Sequence, residues 1–534
     1  MNTSSLPEKP SPEALPVLIV GAGPTGLVLA LWLTRSGVRV RIIDKTSEPG
    51  TTSRALAVQA RTLEFYRQLG FADELTEGGH KAIGLNLWVA GRKKAHVIFG
   101  EMGKGISPFP YALTFPQDEH ERLLVDHLAK LGVQVERRTE LMAFEEAGDR
   151  VIAHLKRPDG SLETCEAAYL AGCDGAHSIV RQSLSMGFPG GSYSHLFYVA
   201  DVEAKGEAMN GELHVGLDRT DFLAVFPMKG DKRARLVGTV RDELEHASDK
   251  LSWEDVSRRV IGWMQIDVER VNWFSTYRVH HRVAEHFRKG RAFLLGDAAH
   301  IHSPVGGQGM NTGIGDAVNL AWKLAAVLQD RANASILDSY EPERIAFARR
   351  LVATTDEAFT GVTSSGWIAR LVRLHLVPLL LPPLFAFRKV RRFMFRTVSQ
   401  TSVNYRGSSL SEGRVGHVHG GDRLPWVTAE LQGNPKDAPG NSRDNYAPLR
   451  SLDWQVHVYG EATPEIRTMC DARKMPAHIF PWRPEMSQAR LQRNTLYLVR
   501  PDGYVALADT SSRTAVLAAY LDRHNLTLIK QKAG

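Results

Sequence analysis

The sequence predicts an α/β protein whose first domain is Rossmann-like, with a mixed-sheet domain inserted into it and a smaller domain after it. Three observations carry this. A short apolar run at residues 15–20 leads into Gly21-Ala-Gly23-Pro24-Thr25-Gly26, a second at 292–295 leads into Gly296-Asp297, and strand-like apolar segments lie between the two. Brief apolar runs that end on glycine turns have the pattern of buried parallel strands.

Residues 1–14 are polar and proline-rich, lack the apolar stretch of a secretion signal, and read as a disordered tail. The strand at 15–20 enters the glycine turn. From Pro24, the positions Leu27, Leu29, Ala30, Leu31 and Leu33 form a helical pattern that stops near Gly37. Gly21 permits the turn, Gly23 lets backbone approach a diphosphate, and Gly26 lets helix and strand pack closely, while the helix start offers free N–H groups to an anion. The next strand, residues 38–43, ends at Asp44-Lys45, where a carboxylate can accept hydrogen bonds from ribose hydroxyls. This favours an adenosine ribose without a 2′-phosphate, as in FAD or NAD.

The second motif chooses FAD. Asp297, at a strand end, is placed to meet ribityl hydroxyls. Ser303-Pro304-Val305-Gly306-Gly307-Gln308-Gly309-Met310-Asn311 then runs into a helix with apolar Ala317, Leu320, Ala321, Leu324 and Leu328. Its glycines let amides approach a flat ring, and the helix start favours negative charge on the pyrimidine edge of a reduced flavin. NAD has no group that needs this.

Residues 222–227, 234–238 and 273–277 read as strands of a sheet roofing a pocket over the flavin. The apolar stretch 376–385 is too short and proline-broken to span a bilayer, which disfavours a membrane partner and leaves a packed helical connector. Residues 413–450 have loop composition; from Asp453 the pattern is strand, helix, strand, strand, helix. The expected domains are 15–182 with 286–360 for FAD, 183–285 for substrate, a connector at 361–412 and a C-terminal domain at 413–534.

With 43% hydrophobic and 23% charged residues the chain is globular, and its net charge of +7 is spread along it with no nucleic-acid module. That charge suits attraction of small anionic molecules. Cys165, Cys173 and Cys470 form neither a metal pattern nor CxxC, and point to a cytoplasmic, reducing location.

A third signature, Cys173-Asp174-Gly175-Ala-His-Ser178-Ile-Val180-Arg181, joins smaller ones: Ser53-Arg54-Ala55, Arg61-Thr62-Leu63-Glu64, Gln117 ahead of a helix, and Tyr340-Glu341-Pro342-Glu343-Arg344. Together with both glycine motifs, they resemble the single-component FAD-dependent aromatic hydroxylases (group A flavoprotein monooxygenases) of the p-hydroxybenzoate hydroxylase fold. The resemblance is strong over residues 15–410 and looser beyond, where the pattern resembles the thioredoxin-like C-terminal domain of many such enzymes.

The resemblance implies that NADPH or NADH binds transiently, since no second glycine-rich nucleotide fold is visible, and that dioxygen and a small phenolic or polycyclic aromatic react through a flavin 4a-hydroperoxide. It assigns Arg54 and Gln117 to the FAD diphosphate and ribityl region, Asp174 to FAD and pyridine nucleotide, and the Pro304 backbone to flavin and substrate. No catalytic base is identified; some phenol-hydroxylating relatives carry Asp in the stretch that here reads Ala55-Leu56-Ala57-Val58. Arg61, His214 and Tyr277 are the candidate polar pocket residues. Baeyer-Villiger or antibiotic-inactivating oxygenation, and a plain FAD-dependent dehydrogenase or reductase, stay open, as does a homodimer.

Overall fold

A computed structural model describes residues 14–50, 55–98, 102–217, 222–240, 251–256, 258–303, 306–363, 376–428, 444–510 and 513–527. Its centre is a six-stranded sheet in the order Arg288–Lys289, Ala292–Leu294, Tyr169–Gly172, Val17–Val20, Val40–Asp44, Val135–Arg137. All its pairings are parallel except the outermost, Arg288–Lys289 on Ala292–Leu294. Val17–Val20 is buried throughout because helices cover both faces, and such a strand must be an unbroken apolar run.

The helix Pro24–Arg35 starts with proline at its first turn, where no N–H is needed, and buries every residue from Gly26 to Leu33. It is apolar all round because it packs against both Gln117–Lys130 and Gly309–Leu328 as well as the sheet. Each leucine so buried contributes roughly 1.5–3 kcal/mol, which fixes this helix as scaffold.

A second sheet has eight strands, in the order His300–Ile301, Ile266–Val283, Gly190–Gly206, Arg233–Thr239, Phe222–Pro227, Leu213–Leu217, Gly84–Val89, Arg92–Ile98. The strand expected at 273–277 is the centre of an 18-residue strand. The hairpin Gly84–Val89 with Arg92–Ile98 falls inside the segment 15–182, yet it pairs in parallel with Leu213–Leu217. The sheet is therefore wider than 183–285. A parallel pairing across more than a hundred residues leaves no local periodicity, although the left-handed Ala90 and Gly91 (φ 49° and 75°) are a hairpin turn.

One face of this sheet is sealed. Leu196, Tyr198, Ala200, Leu223, Val225, Ala234 and Leu236 pack there beneath Val260 and Ile261 of the helix Arg258–Trp263.

The connector contains the helices Val377–Ala386 and Arg388–Val398, and no helix among the described residues is long and apolar enough to cross a membrane. The last sheet has the order Val418–His419, Glu412–Val415, Val505–Asp509, Thr495–Val499, Gln455–Tyr459, Ala477–Phe480. Gln455–Tyr459 runs parallel to Ala477–Phe480 and antiparallel to Thr495–Val499. Buried ion pairs join this part to the first domain: Arg500 to Glu343 at 2.8 Å, and Arg423 to Glu64 at 2.9 Å.

Candidate cofactor and substrate site

The first glycine turn is shaped by what a Cβ would meet. At Gly21 (φ +103°) it would lie 2.4 Å from the Cys173 carbonyl oxygen, and at Gly26 2.0 Å from the Gly21 carbonyl oxygen. At Gly23 it would meet nothing within 4 Å, so the space a diphosphate needs is open there. Asp44 Oδ2 accepts from Ala22 N at 2.7 Å, while Oδ1 accepts from Thr46 N at 2.8 Å. With Thr46 Oγ1 also donating to Oδ1 at 2.7 Å, the carboxylate pins the turn to the second strand and keeps one Oδ2 lone pair for a ribose. Lys45 beside it is exposed.

The second motif comes down on the first. A Cβ at Gly296 (φ +58°) would lie 2.7 Å from Thr25 Oγ1, and one at Gly313 2.3 Å from the same atom. Three segments separated by up to 290 residues therefore meet around one threonine. Asp297 is exposed while Gly296 and Ala298 are buried, so the motif turns only that side chain outward. Asp316 holds it in place: Oδ2 accepts from Gly296 N at 2.9 Å and His300 Nε2 at 2.7 Å, and Oδ1 from Arg344 Nε at 2.6 Å. Burial would raise the Asp316 carboxyl, but Arg344 and His300 hold it below the usual carboxylate range.

In the glycine loop, Gly306 and Gly307 are left-handed (φ +77° and +62°), and a Cβ at Gly307 would lie 2.6 Å from that of Ala57. The helix Gly309–Leu328 starts at Gln308 with no side-chain cap and no acidic residue in its first turn, so its leading amides are available to an acceptor. Gly309 and Met310 are half-buried at that start. Asn311 differs from the expectation of a direct cofactor contact. Its Oδ1 accepts from Gln59 N and Thr62 Oγ1, both at 2.8 Å, and its Nδ2 donates to Ala57 O at 2.9 Å and Gly307 O at 2.8 Å. That uses the full capacity of the amide, so the side chain clamps the loop and only its backbone is left for a ligand.

Gln117 accepts from Ala55 N at 3.1 Å and donates to Glu121 Oε1 at 2.8 Å, flanking the groove. Asp174 Oδ2 accepts from Val180 N at 3.2 Å, Oδ1 is buried without a partner, and burial raises the carboxyl. Arg54 and Pro304 lie outside the described residues.

Two pocket candidates are corrected. Arg61 is buried with Nη1 on Glu64 Oε2 of its own helix at 2.8 Å and Nη2 on Asp502 O at 2.6 Å, and it faces the C-terminal sheet, where Asp502 and the Tyr504 ring beneath its guanidinium lie. His214 lies under the sealed face, accepting from Trp88 Nε1 at 2.9 Å and donating to Asn210 Oδ1 at 2.8 Å. Burial pushes it down to about 4, so it is neutral and structural. Tyr277 is placed differently. It pairs across the sheet with Phe197, ring centroids 6.0 Å apart, on the face opposite the sealed one.

That face is the one turned to the cofactor groove. Arg235 projects from it, bonded to Asp201 at 2.6 and 2.8 Å, and donates to Ala55 O at 3.2 Å, two residues before Ala57 meets Gly307. Val215, Phe222, Phe226, Val237 and Tyr277 on this face are only half-buried, though they sit in mid-sheet. The result is an apolar, aromatic wall with a few polar groups, the usual make-up of a small-molecule site.

Sequence reasoning missed Arg235, Asp316 and His302. His302 Nδ1 donates to Ser303 O at 2.8 Å, Nε2 is buried without a partner, and burial lowers the ring to about 4. The available signal was a charged residue inside an apolar periodicity, at Arg235 in its strand and at Asp316 in its helix.

Residues 14–355 match the FAD binding domain family. The chain is 33% identical over 554 aligned residues to 6-methylpretetramide 4-monooxygenase of Streptomyces rimosus, covering 97% of this chain and 95% of that one. It is 30% identical to a flavin-dependent monooxygenase of Mycobacteroides abscessus, covering 94% and 98%. Among solved structures, the OxyS anhydrotetracycline hydroxylase from Streptomyces rimosus superposes with a TM-score of 0.77 at 27% identity, covering 97% of this chain and 100% of that one.

Proposed function

Since the chain belongs to the FAD-dependent aromatic hydroxylases, the group A flavoprotein monooxygenases, we propose that it uses NAD(P)H and dioxygen to hydroxylate a phenolic or polycyclic aromatic substrate. The observation that carries this is the half-exposed aromatic wall of the eight-stranded sheet, set by Arg235 and Ala55 over the glycine loop. Bound FAD supplies the redox chemistry and the activation of dioxygen. The chain's own residues bind, orient and keep water out.

In this reading the amides of Gly21 to Gly26 and the open side of Gly23 receive the diphosphate, with Thr25 behind them. Asp44 takes the ribose, Asp297 the ribityl hydroxyls, and Gln117 flanks them. The uncapped start of Gly309–Leu328 would hold the pyrimidine edge of the ring, and its partial positive charge would stabilise negative charge there. The unpartnered Asp174 Oδ1 and His302 Nε2 fit a site completed by a polar ligand. Arg54 and Pro304 keep the roles the family resemblance gives them, and Lys45 is read with Asp44 as part of the cofactor site. The names of the relatives support a substrate of several fused rings, and the wide inner face has length for one.

The C-terminal domain is read as thioredoxin-like, supported by the strand order Ala477–Phe480, Gln455–Tyr459, Thr495–Val499, Val505–Asp509 with only the first pair parallel. The three free thiols support a reducing, cytoplasmic location.

A panel of phenols and aromatic polyketides, scored for NAD(P)H oxidation with hydrogen peroxide measured in parallel, tests the proposal. A substrate should accelerate oxidation and yield hydroxylated product with little peroxide. Oxidation at the same rate with and without every aromatic tried, and no oxygenated product, would contradict it.

A further inference from the structure

A cavity of about 170 Å³ lies where the first domain (Gly105, Ile106), the helix Arg388–Val398 and the C-terminal domain meet. Five arginines line it, Arg392, Arg396, Arg406, Arg423 and Arg490, against a single carboxylate, Asp422. Two of the five are neutralised. Arg406 is paired with Asp422 at 2.6 Å, and Arg423 with Glu64 at 2.9 Å. Arg392, Arg396 and Arg490 form no ion pair with a carboxylate among the described residues, and Asp422 offsets only part of the repulsion on Arg396.

Guanidinium groups gathered around one cavity repel each other, and partial burial removes the water that would screen them. Burial, then Arg490, Arg392 and Arg423, pushes the Arg396 guanidinium down to about 10, so it stays charged at neutral pH while bearing that repulsion. Such an arrangement is relieved by a bound anion. The volume is well below the roughly 300–1,000 Å³ of pockets that enclose a whole drug-sized ligand, and suits a phosphate group or small polyanion.

We infer that this cavity is a binding site for a phosphate-bearing anion, held by forked contacts from Arg392, Arg396 and Arg490. The same helix reaches the flavin loop. Its last residue, Val398, accepts from Gln308 Nε2 at 2.8 Å, and Gln400 just beyond donates to Gln308 Oε1 at 2.7 Å and Thr312 Oγ1 at 3.0 Å. Occupancy therefore bears on the residue that opens the helix Gly309–Leu328.

The test is isothermal titration calorimetry on the full-length, FAD-saturated protein, with pyrophosphate and adenosine 2′,5′-bisphosphate as probes. At least one probe should bind saturably at one site per chain, and binding should weaken about tenfold or more in Arg392→Gln/Arg396→Gln and in the exposed single variant Arg490→Gln, both with full FAD content. If NADPH competes for the site, the phosphate belongs to the pyridine nucleotide; if pyrophosphate binds undisturbed by NADPH, the ligand is a free anion. Should the double variant lose FAD, Arg490→Gln alone decides. No saturable binding of either probe, or undiminished binding in Arg490→Gln, overturns the inference.

Discussion

Thr25 shows how single atoms position the cofactor site. Its hydroxyl fills the space denied to a side chain at Gly296 and Gly313, so the first helix, the Gly296-Asp297 turn and the helix Gly309–Leu328 can only meet if both stay glycine. Asp297 is then the one side chain the turn presents outward. Asp297→Ala should weaken FAD binding by roughly 1.5–3 kcal/mol, the usual worth of a charged acceptor, read as a rise in dissociation constant when apoprotein is titrated by flavin fluorescence. Unchanged affinity would remove the residue from the ribityl contact. Asp316→Asn acts differently, because it leaves Arg344 buried without its anion. It should cost about 3–5 kcal/mol of stability, seen as a lower urea midpoint even with FAD in excess; a midpoint equal to the parent's would show that His300 and Arg344 do not depend on it. The glycine motifs were legible in sequence since their constraint is local. Asn311 and Arg61 were not, because most of what holds them is distant in sequence: Asn311 bonds to Ala57, Gln59 and Thr62 besides Gly307, and Arg61 to Asp502 besides Glu64.

Elements were legible where burial and period agree. The helices after both glycine motifs and the strands feeding them follow the expected pattern, whereas the hairpin at 84–98, inside the segment expected to hold FAD, belongs to the other sheet because its partner strand lies at 213–217. The helix Pro464–Ala472 carries Cys470, and its side chain is buried. Burial, with Asp471 adding to it, pushes the thiol up to about 11, so little thiolate forms at neutral pH. Cys470→Ser should leave NAD(P)H oxidation and product yield unchanged; lost turnover in a folded variant would give this element a chemical role. Removing residues beyond 415 should instead abolish soluble expression. It takes away Arg500, whose guanidinium stands 2.8 Å from the fully buried Glu343, and leaves that carboxylate with the Lys323 ammonium and the neutral donors Asn319 and Ser408.

At the scale of the whole molecule, several histidines are buried in neutral form. Burial lowers His120 to about 3 and His214 to about 4, and lowers His457 well below its ordinary value. Unfolded, each takes up a proton near pH 6.5; folded, it cannot until the pH reaches its lowered value. The unfolded state thus binds more protons between about pH 6.5 and 4, and stability must fall as pH falls through that window, by up to about 1.4 kcal/mol per pH unit for each histidine. Urea midpoints at pH 7.5 and 5.5 should show a marked drop at the lower pH, and an equal or higher midpoint at pH 5.5 would mean these rings are solvated.

The central claim is that a substrate lying on the Phe222, Phe226 and Tyr277 wall receives oxygen from dioxygen at the cofactor held below it. The direct measurement is a single turnover: FAD-loaded protein is reduced, mixed with a coupled aromatic substrate under ¹⁸O₂, and the product is weighed by mass spectrometry. One ¹⁸O atom should enter each product molecule, and none should enter when the label is in water instead. Product that is oxidised without gaining oxygen, or that carries oxygen from labelled water, would contradict the account.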